Sequence, residues 1–254
     1  MAKIKNAQEI ELLRESGKRL ARVLAALRDA VRPGVSTREL DQLAERLIRA
    51  GGDEPPFLGY TPHGAPHPFP ASLCVSLNDE VVHGIPNERI LKDGDIVGLD
   101  LGVAHKGMIT DSAITVAVGK VSPELQKLIV RTEESLHAGI NAARGGAQIG
   151  DISAAIEAIG RKEKYGIIQE LGGHGVGHAV HEDPYVPNFG KKGTGPVLKP
   201  GMVLALEPMF TLGSRHIRLM PDGYTIVTED GKWAAHFEHT ILITEGEAEI
   251  LTQA

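Results

Sequence analysis

Five residues of this chain have the types and spacing to hold divalent metal. Asp100 closes the run Leu91-Lys-Asp-Gly-Asp-Ile-Val-Gly-Leu-Asp100, and Glu207 closes Leu198-Lys-Pro-Gly-Met-Val-Leu-Ala-Leu-Glu207. Both copies read Leu-Lys, a Gly, a short apolar strand and a carboxylate. A second acid follows each copy, Asp111 before Ser-Ala-Ile-Thr and Glu238 before His-Thr-Ile-Leu. Four carboxylates at matched places on a duplicated scaffold can converge near its symmetry axis, and His174 adds a neutral nitrogen. Two divalent cations would bring four positive charges against four negative ones, which leaves a buried site nearly neutral. Oxygen ligands with one imidazole and no thiolate point to Mn, Fe, Co or Zn. Two bridging acids would hold such cations roughly 3.5–4 Å apart, and a water between them would ionise near neutral pH and could attack an amide carbonyl. The second cation could hold a free α-amine.

The neighbouring residues refine this chemistry. Asp100 and Asp111 stand a strand–turn–strand distance apart, so a hairpin through Gly107 would set them side by side on adjacent strands. Two surface acids flanking a turn would look the same, but both acids adjoin apolar runs. His174, His178 and His181 are spaced like a helical zinc-ligand run. The glycines of Gly172-Gly-His-Gly-Val-Gly177 argue against a helix there and for an extended segment. In one strand His174 and His181 would face opposite ways and play different roles. His83, in Val82-His-Gly-Ile-Pro86, and His181, in Val180-His-Glu-Asp-Pro184, occupy matched places. They read as a pair of donors flanking the metals, one at the scissile amide and one at the developing oxyanion. Hydrogen-bonded core histidines are the plainer alternative for either alone.

The elements that must position these residues are legible. Apolar spacing predicts an amphipathic helix over about 6–31 and a second helix opened by the capping pair Ser36/Glu39 and stopped by Gly51-Gly52. A third is capped by Ser122-Pro123, and a fourth covers 150–163. Strands are expected at Leu73–Leu77, Asp95–Leu101, Ser112–Val118, Met202–Leu206, Thr225–Thr228 and His239–Ile243. Helix pairs followed by strands indicate α+β with antiparallel sheet. Arg32-Pro-Gly-Val-Ser-Thr-Arg-Glu-Leu40 parallels Arg144-Gly-Gly-Ala-Gln-Ile-Gly-Asp-Ile152, so each half reads helix, helix, His-x-x-Pro, strand, acid, acid. A repeat of about a hundred residues is too long for a solenoid unit. It reads as two pseudo-equivalent halves, about 1–120 and 121–254, of one catalytic domain over 1–254. The Pro/Gly-rich stretch 55–70, with Tyr60, His63, His67 and Phe69, is a loop fit to be a lid or substrate wall.

Composition excludes several classes. The 254 residues carry a net charge of −6 and 4% aromatic side chains, without a basic cluster, so a nucleic-acid partner is not expected. The single cysteine, Cys74, permits no intrachain disulfide and fits a reducing cytoplasm. No apolar run reaches the length of a membrane span, and the chain opens on a polar helix rather than an apolar leader.

At these residues the chain resembles the type I methionine aminopeptidases, pita-bread metallopeptidases. The matching motifs are Phe57-Leu-Gly-Tyr60, Ser76-Leu-Asn-Asp-Glu-Val-Val-His-Gly-Ile-Pro86, Asp95-Ile-Val-Gly-Leu-Asp-Leu-Gly102, Thr110-Asp-Ser112, Gly173-His-Gly-Val-Gly177, His181-Glu-Asp-Pro184, Ala205-Leu-Glu-Pro208 and Phe237-Glu-His-Thr240. They run through essentially the whole chain. The resemblance implies a pita-bread fold with pseudo-two-fold halves, antiparallel sheet and outer helices. It implies two divalent metal ions held by Asp100, Asp111, His174, Glu207 and Glu238, with Asp111 and Glu238 bridging. It implies that His83 contacts the substrate amide, that His181 contacts its carbonyl oxygen, and that Glu207 shuttles a proton. Tyr60, Phe69 and Tyr224 are implied to line the methionine pocket. The implied reaction is removal of the initiator methionine from nascent chains, after deformylation, when the second residue is small. A monomer, and a contact with the ribosome near the exit tunnel, are further expectations.

Two features depart from the family pattern. The 60–70 loop is several residues longer than usual, with Thr61-Pro-His-Gly-Ala-Pro-His67 as the insertion, so His63 or His67 is a candidate to approach the site. Tyr224 stands where many relatives carry Trp. There is no large insertion between His181 and Glu207, as the type II form has, and no N-terminal Cys/His zinc finger. Rival readings are an Xaa-Pro peptidase on the same scaffold, whose members usually carry a further N-terminal domain, and a metal-free binding or creatinase-like relative. Four converging acids would serve no purpose in either metal-free case.

Overall fold

The structure, a computed structural model, describes residues 3–62 and 64–253. Four helices form where spacing and caps require them: α1 (Ala7–Ala30), α2 (Thr37–Ala50), α3 (Pro123–Ala142) and α4 (Ile149–Glu163). Asn6 and Glu9 close a reciprocal cap on α1, and Ser36 and Glu39 do the same on α2. Each satisfies two backbone N–H groups that a helix start leaves without partners. The strands, in chain order, are β1 (Cys74–Leu77), β2 (Glu80–Val82), β3 (Ile96–His105), β4 (Met108–Ala117), β5 (Gly166–Ile167), β6 (Gly172–Gly175), β7 (Glu182–Pro187), β8 (Val203–Leu206), β9 (Met209–Thr211), β10 (Ile217–Leu219), β11 (Ile226–Thr228), β12 (Ala234–His236), β13 (Glu238–Leu242) and β14 (Glu249–Ile250).

One antiparallel sheet takes the order β1-β3-β4-β13-β8-β6-β7, with β14 added on β13. Its order reverses across the β4–β13 junction. β3 and β4 of the first half mirror β8 and β13 of the second, so the pseudo-two-fold axis passes between β4 and β13. This is the expected α+β pita-bread arrangement of duplicated halves. Only two backbone partner pairs, Glu238↔Ala113 and His239↔Ser112, join the halves there. Side chains reinforce the seam. Thr240 Oγ1 donates to the Asp111 carbonyl and accepts from the Asp111 N–H, and Ser112 Oγ donates to the Glu238 carbonyl.

Period-two alternation decides which residues face the core and which face the site. On β3, Val97, Leu99, Leu101 and Val103 pack with Leu20, Leu24 and Leu27 of α1 and Leu40 and Ile48 of α2. On the second half, Leu204, Leu206 and Ile241 pack with Leu128 and Ile140 of α3 and Ile152 and Ile156 of α4. The helices therefore cover one face, and the intervening positions, Asp100, Asp111, Glu207 and Glu238 among them, turn to the other. Two strands run further than the sequence indicates. β3 passes Leu101 to His105, and β4 starts at Met108 rather than Ser112. The cause is a two-residue turn in which Lys106 (φ 49°) and Gly107 (φ 80°) both take positive φ. That geometry matches the strand twist and lets pairing continue to His105↔Met108.

Candidate metal centre

Five consecutive strands of the sheet, β3, β4, β13, β8 and β6, each deliver one candidate ligand to the same face. Asp100 lies on β3, Asp111 on β4, Glu238 at the start of β13, Glu207 just past β8 and His174 on β6. The register aligns them. Asp100 and Glu238 both pair with Ala113, Asp111 sits opposite Gly102, and His174 sits opposite Ala205. One ligand atom from each of Asp111, His174 and Glu238 lies within 4.8 Å of the others. Glu207 reaches toward two imidazoles, 3.6 Å from His174 Nε2 and 3.6 Å from His236 Nε2.

This cluster is strained electrostatically as a bare protein site. Burial, and then repulsion from Asp111 and Glu207, pushes the Asp100 carboxyl far above the usual carboxylate range. Burial raises Asp111 to about 7 even though a backbone hydrogen bond from Ser112 opposes it. Burial and the charge of Asp111 raise Glu207 to about 8, and burial with three neighbouring acids raises Glu238 strongly. Burial, then the neighbouring His181, lowers His174 to about 3. Converging acids whose charge is costly to bury, beside an imidazole kept neutral, form a donor set suited to divalent cations.

The donor set fits divalent metal. Among the described residues, Asp100 Oδ1, Asp111 Oδ1 and Glu238 Oε1 are buried without a hydrogen-bond partner, a cost that a stable core avoids unless something else satisfies them. His174 Nδ1 lies 2.9 Å from the Gly175 carbonyl, so Nδ1 carries the proton and Nε2 offers its lone pair to the cluster.

Around this centre the structure brings together nearly every residue singled out in the sequence. A space of about 570 Å³, counting the part open to solvent, is bounded by all five acids and imidazoles and by His83, His181, Tyr60, Phe69 and Tyr224. Its apolar end is a cluster of Phe57, Phe69, Cys74, Val180 and Tyr224, with Tyr60 packed against it. Phe57, Cys74 and Val180 were missed in the sequence because each reads as ordinary core. His83 follows β2 in the left-handed region (φ 59°), a conformation histidine tolerates better than most side chains but still rarely adopts. Burial, then His181, lowers its imidazole to about 4.

Two expectations need correction. The segment 172–181 is not one strand. β6 ends at Gly175, and the chain turns so that Glu182 pairs back with Gly175. His181 therefore lies beside His174, ring centroids 4.4 Å apart, rather than on the opposite face. His178, which the sequence did not place among the ligands, meets Glu9 at 2.8 Å. His67 does not approach the metal centre. Its ring packs on Tyr224 and its Nε2 meets the Asp222 carbonyl at 3.1 Å, while the Tyr224 hydroxyl donates to the His67 carbonyl. The 60–70 loop thus braces the Tyr224 wall. His63 lies outside the described residues.

The family model of Metallopeptidase family M24 matches residues 11–245. The chain belongs to this metallopeptidase family. It is 47% identical to methionine aminopeptidase 1 of Bacillus subtilis over 98% of each chain. A crystal structure of methionine aminopeptidase from Thermotoga maritima superposes with a TM-score of 0.95 at 39% identity, covering 100% of both chains. An Xaa-Pro dipeptidase from Bacillus anthracis shares the fold at a TM-score of 0.77 and 24% identity, and the present chain spans 62% of its length. Metallopeptidase chemistry agrees with a donor set built for divalent metal. No helix among the described residues is long and apolar enough to cross a membrane.

Proposed function

We propose that this M24 metallopeptidase is a methionine aminopeptidase that removes the initiator methionine from nascent proteins when the second residue is small. One observation carries the reading: an apolar pocket abuts the converging acids. A second, wider groove, lined by Leu171, Gly172, Asp183 and Tyr185, meets the pocket at His83, His174, His181 and Glu207. A peptide laid across that junction puts its first side chain in the apolar end and the rest of its chain in the groove.

Asp100, Asp111, His174, Glu207 and Glu238 would hold a pair of divalent ions. When bound, such ions supply Lewis acidity that lowers the pKa of water and polarises a carbonyl. The protein's own groups do the rest. Phe57, Tyr60, Phe69, Cys74 and Tyr224 exclude water from the methionine side chain, and each buried methylene contributes about 0.8 kcal/mol. Tyr60 Oη and His181 Nδ1 are 2.8 Å apart. With the hydroxyl donating, His181 Nε2 carries the proton and can donate to the substrate carbonyl oxygen. His83, half-buried and held neutral by desolvation, donates at the scissile amide. Glu207, just past β8 at the junction of pocket and groove, is placed to pass a proton to the leaving nitrogen. Both halves, about 1–120 and 121–254, act as one catalytic unit, since neither alone supplies the ligand set. A monomer working in the cytoplasm near the ribosomal exit tunnel completes the reading.

The test is a competition digest read by mass spectrometry. Protein loaded with Co or Mn is given Met-Ala-Ser, Met-Lys-Ser, Ala-Pro-Ala and N-acetyl-Met-Ala-Ser, with an EDTA control. Selective, EDTA-sensitive loss of methionine from Met-Ala-Ser supports the assignment. Cleavage of Ala-Pro-Ala instead would move the protein to the proline-specific branch.

A further inference from the structure

Lys5 is one of the most buried charged residues of the chain, 4% exposed, and it lies before the first helix, far in sequence from the site. Its Nζ sits 2.7 Å from Glu182 Oε2, with the two side chains 1% and 4% exposed. Glu182 directly follows His181 and opens β7. Its other oxygen, Oε1, accepts the N–H groups of His178 (2.7 Å) and Ala179 (3.1 Å), so one carboxylate closes the whole 176–181 turn. Burial alone would raise this carboxyl; the Lys5 ammonium and the two amides outweigh burial and hold it below its ordinary value.

The strap is fixed at both ends. The Lys5 N–H donates to the Gly201 carbonyl at 2.8 Å, on the turn that leads into β8 and Glu207. The Lys5 stem fills the space beside Gly177. A Cβ on that glycine would fall 2.5 Å from Lys5 Cε, and its φ of +139° already excludes other residues. The Gly177 carbonyl in turn accepts from the Ile109 N–H at 2.7 Å, two residues before Asp111. Glu9 adds a second hold from the same end of the chain through His178.

A buried ion pair is a poor source of stability, because the desolvation of two charges offsets their attraction, and apolar packing of equal volume does as well or better. What such a pair does supply is a fixed geometry. We propose that the Lys5–Glu182 pair is a positioning device for His181, strapping the 176–181 turn so that the imidazole meets the substrate carbonyl in a single orientation. This rests on the role given to His181 above.

The experiment compares the metal-loaded wild-type chain with Lys5→Met/Glu182→Gln, His181→Ala and the triple variant on Met-Ala-Ser. The neutral pair leaves no buried charge without a partner and keeps an acceptor for the two amides. The expected result is a kcat lowered about tenfold by the misplaced imidazole, with KM, bound metal and Tm close to wild type, and a triple variant no slower than His181→Ala alone. A loss that multiplies with that of His181→Ala, or wild-type kcat in the neutral pair, overturns the brace while leaving the role of His181 intact. Normal turnover in His181→Ala alone removes the role of His181 and the brace with it. Glu182→Gln by itself, equal in volume, serves as the second variant. In ¹⁵N-histidine spectra its His181 signal should broaden relative to wild type, and an unchanged sharp signal also counts against the proposal.

Discussion

His83 and His181 illustrate how single residues acquire their tasks from backbone geometry. His83 holds a left-handed φ at the end of β2, and His181 is carried by a turn rather than by a strand. Neither fact was legible in the sequence, which offered only the matched His-x-x-Pro pattern. Replacing His83 with Ala should lower kcat by at least about a hundredfold while leaving bound metal near wild type, as the proposed role of the imidazole as donor rather than ligand requires. Elemental analysis beside steady-state kinetics separates these, and loss of metal in that variant would make His83 a ligand instead. Tyr60→Phe should lower kcat about tenfold with a smaller change in KM, because it removes the hydroxyl at His181 Nδ1 but keeps the aromatic wall. A KM effect alone would restrict Tyr60 to the pocket. The acids were easier to read than the histidines, because Asp100, Asp111, Glu207 and Glu238 each end or begin an apolar run, and alternation then fixes the face they share. His236, buried with its Nε2 unpartnered near Glu207, carried no signal beyond lying two residues before Glu238.

Elements position the site through their buried faces. Leu20 of α1 is fully buried against β3, so Leu20→Ala should destabilise the fold by about 2–5 kcal/mol with little change in the activity of the folded fraction. Ser36→Ala removes one side of the cap on α2 and should cost about 1 kcal/mol. Chemical denaturation of each variant checks both values, and equal losses would mean that the cap carries more than its local bonds. The helices were legible to within a residue or two, since their apolar periodicity and caps are local. Strand ends were less so. β3 and β4 extend to the Lys106-Gly107 turn because pairing, which is not local, continues through polar positions such as Thr110 and His105. The small sheets formed by β2, β10 and β11 and by β5, β9 and β12 were largely invisible, being strands of two or three residues whose existence depends on distant partners.

At the scale of the whole molecule, duplication and charge are linked. Two halves that meet at β4 and β13 bring four acids to one axis, and the metal-free fold must tolerate them. An acid whose pKa is raised by folding contributes its full stability below its unfolded pKa and loses it as pH rises through the folded one. For Asp111 and Glu207 that loss extends through about 7 and about 8. The imidazoles of His83, His174 and His236, whose pKa values are lowered, act in the opposite sense, but only below about 6.5, where an unfolded histidine takes up a proton. Metal-stripped protein should therefore lose thermal stability from about pH 6.5 to 9, and the rise in Tm on adding Mn should grow over the same range. Scanning calorimetry with and without metal reads both, and a metal-free Tm that climbs across that window would contradict the ionisation scheme. The most direct test of the central claim, that activity is carried by divalent metal shared between the two halves, is a calorimetric titration of metal-stripped protein with Mn or Co. It is run alongside turnover of Met-Ala-Ser for wild type and Glu238→Ala. Two equivalents and full activity are expected for wild type, and weakened uptake with turnover abolished for Glu238→Ala. Near-normal turnover by metal-loaded Glu238→Ala, or by wild type in EDTA, would contradict that claim.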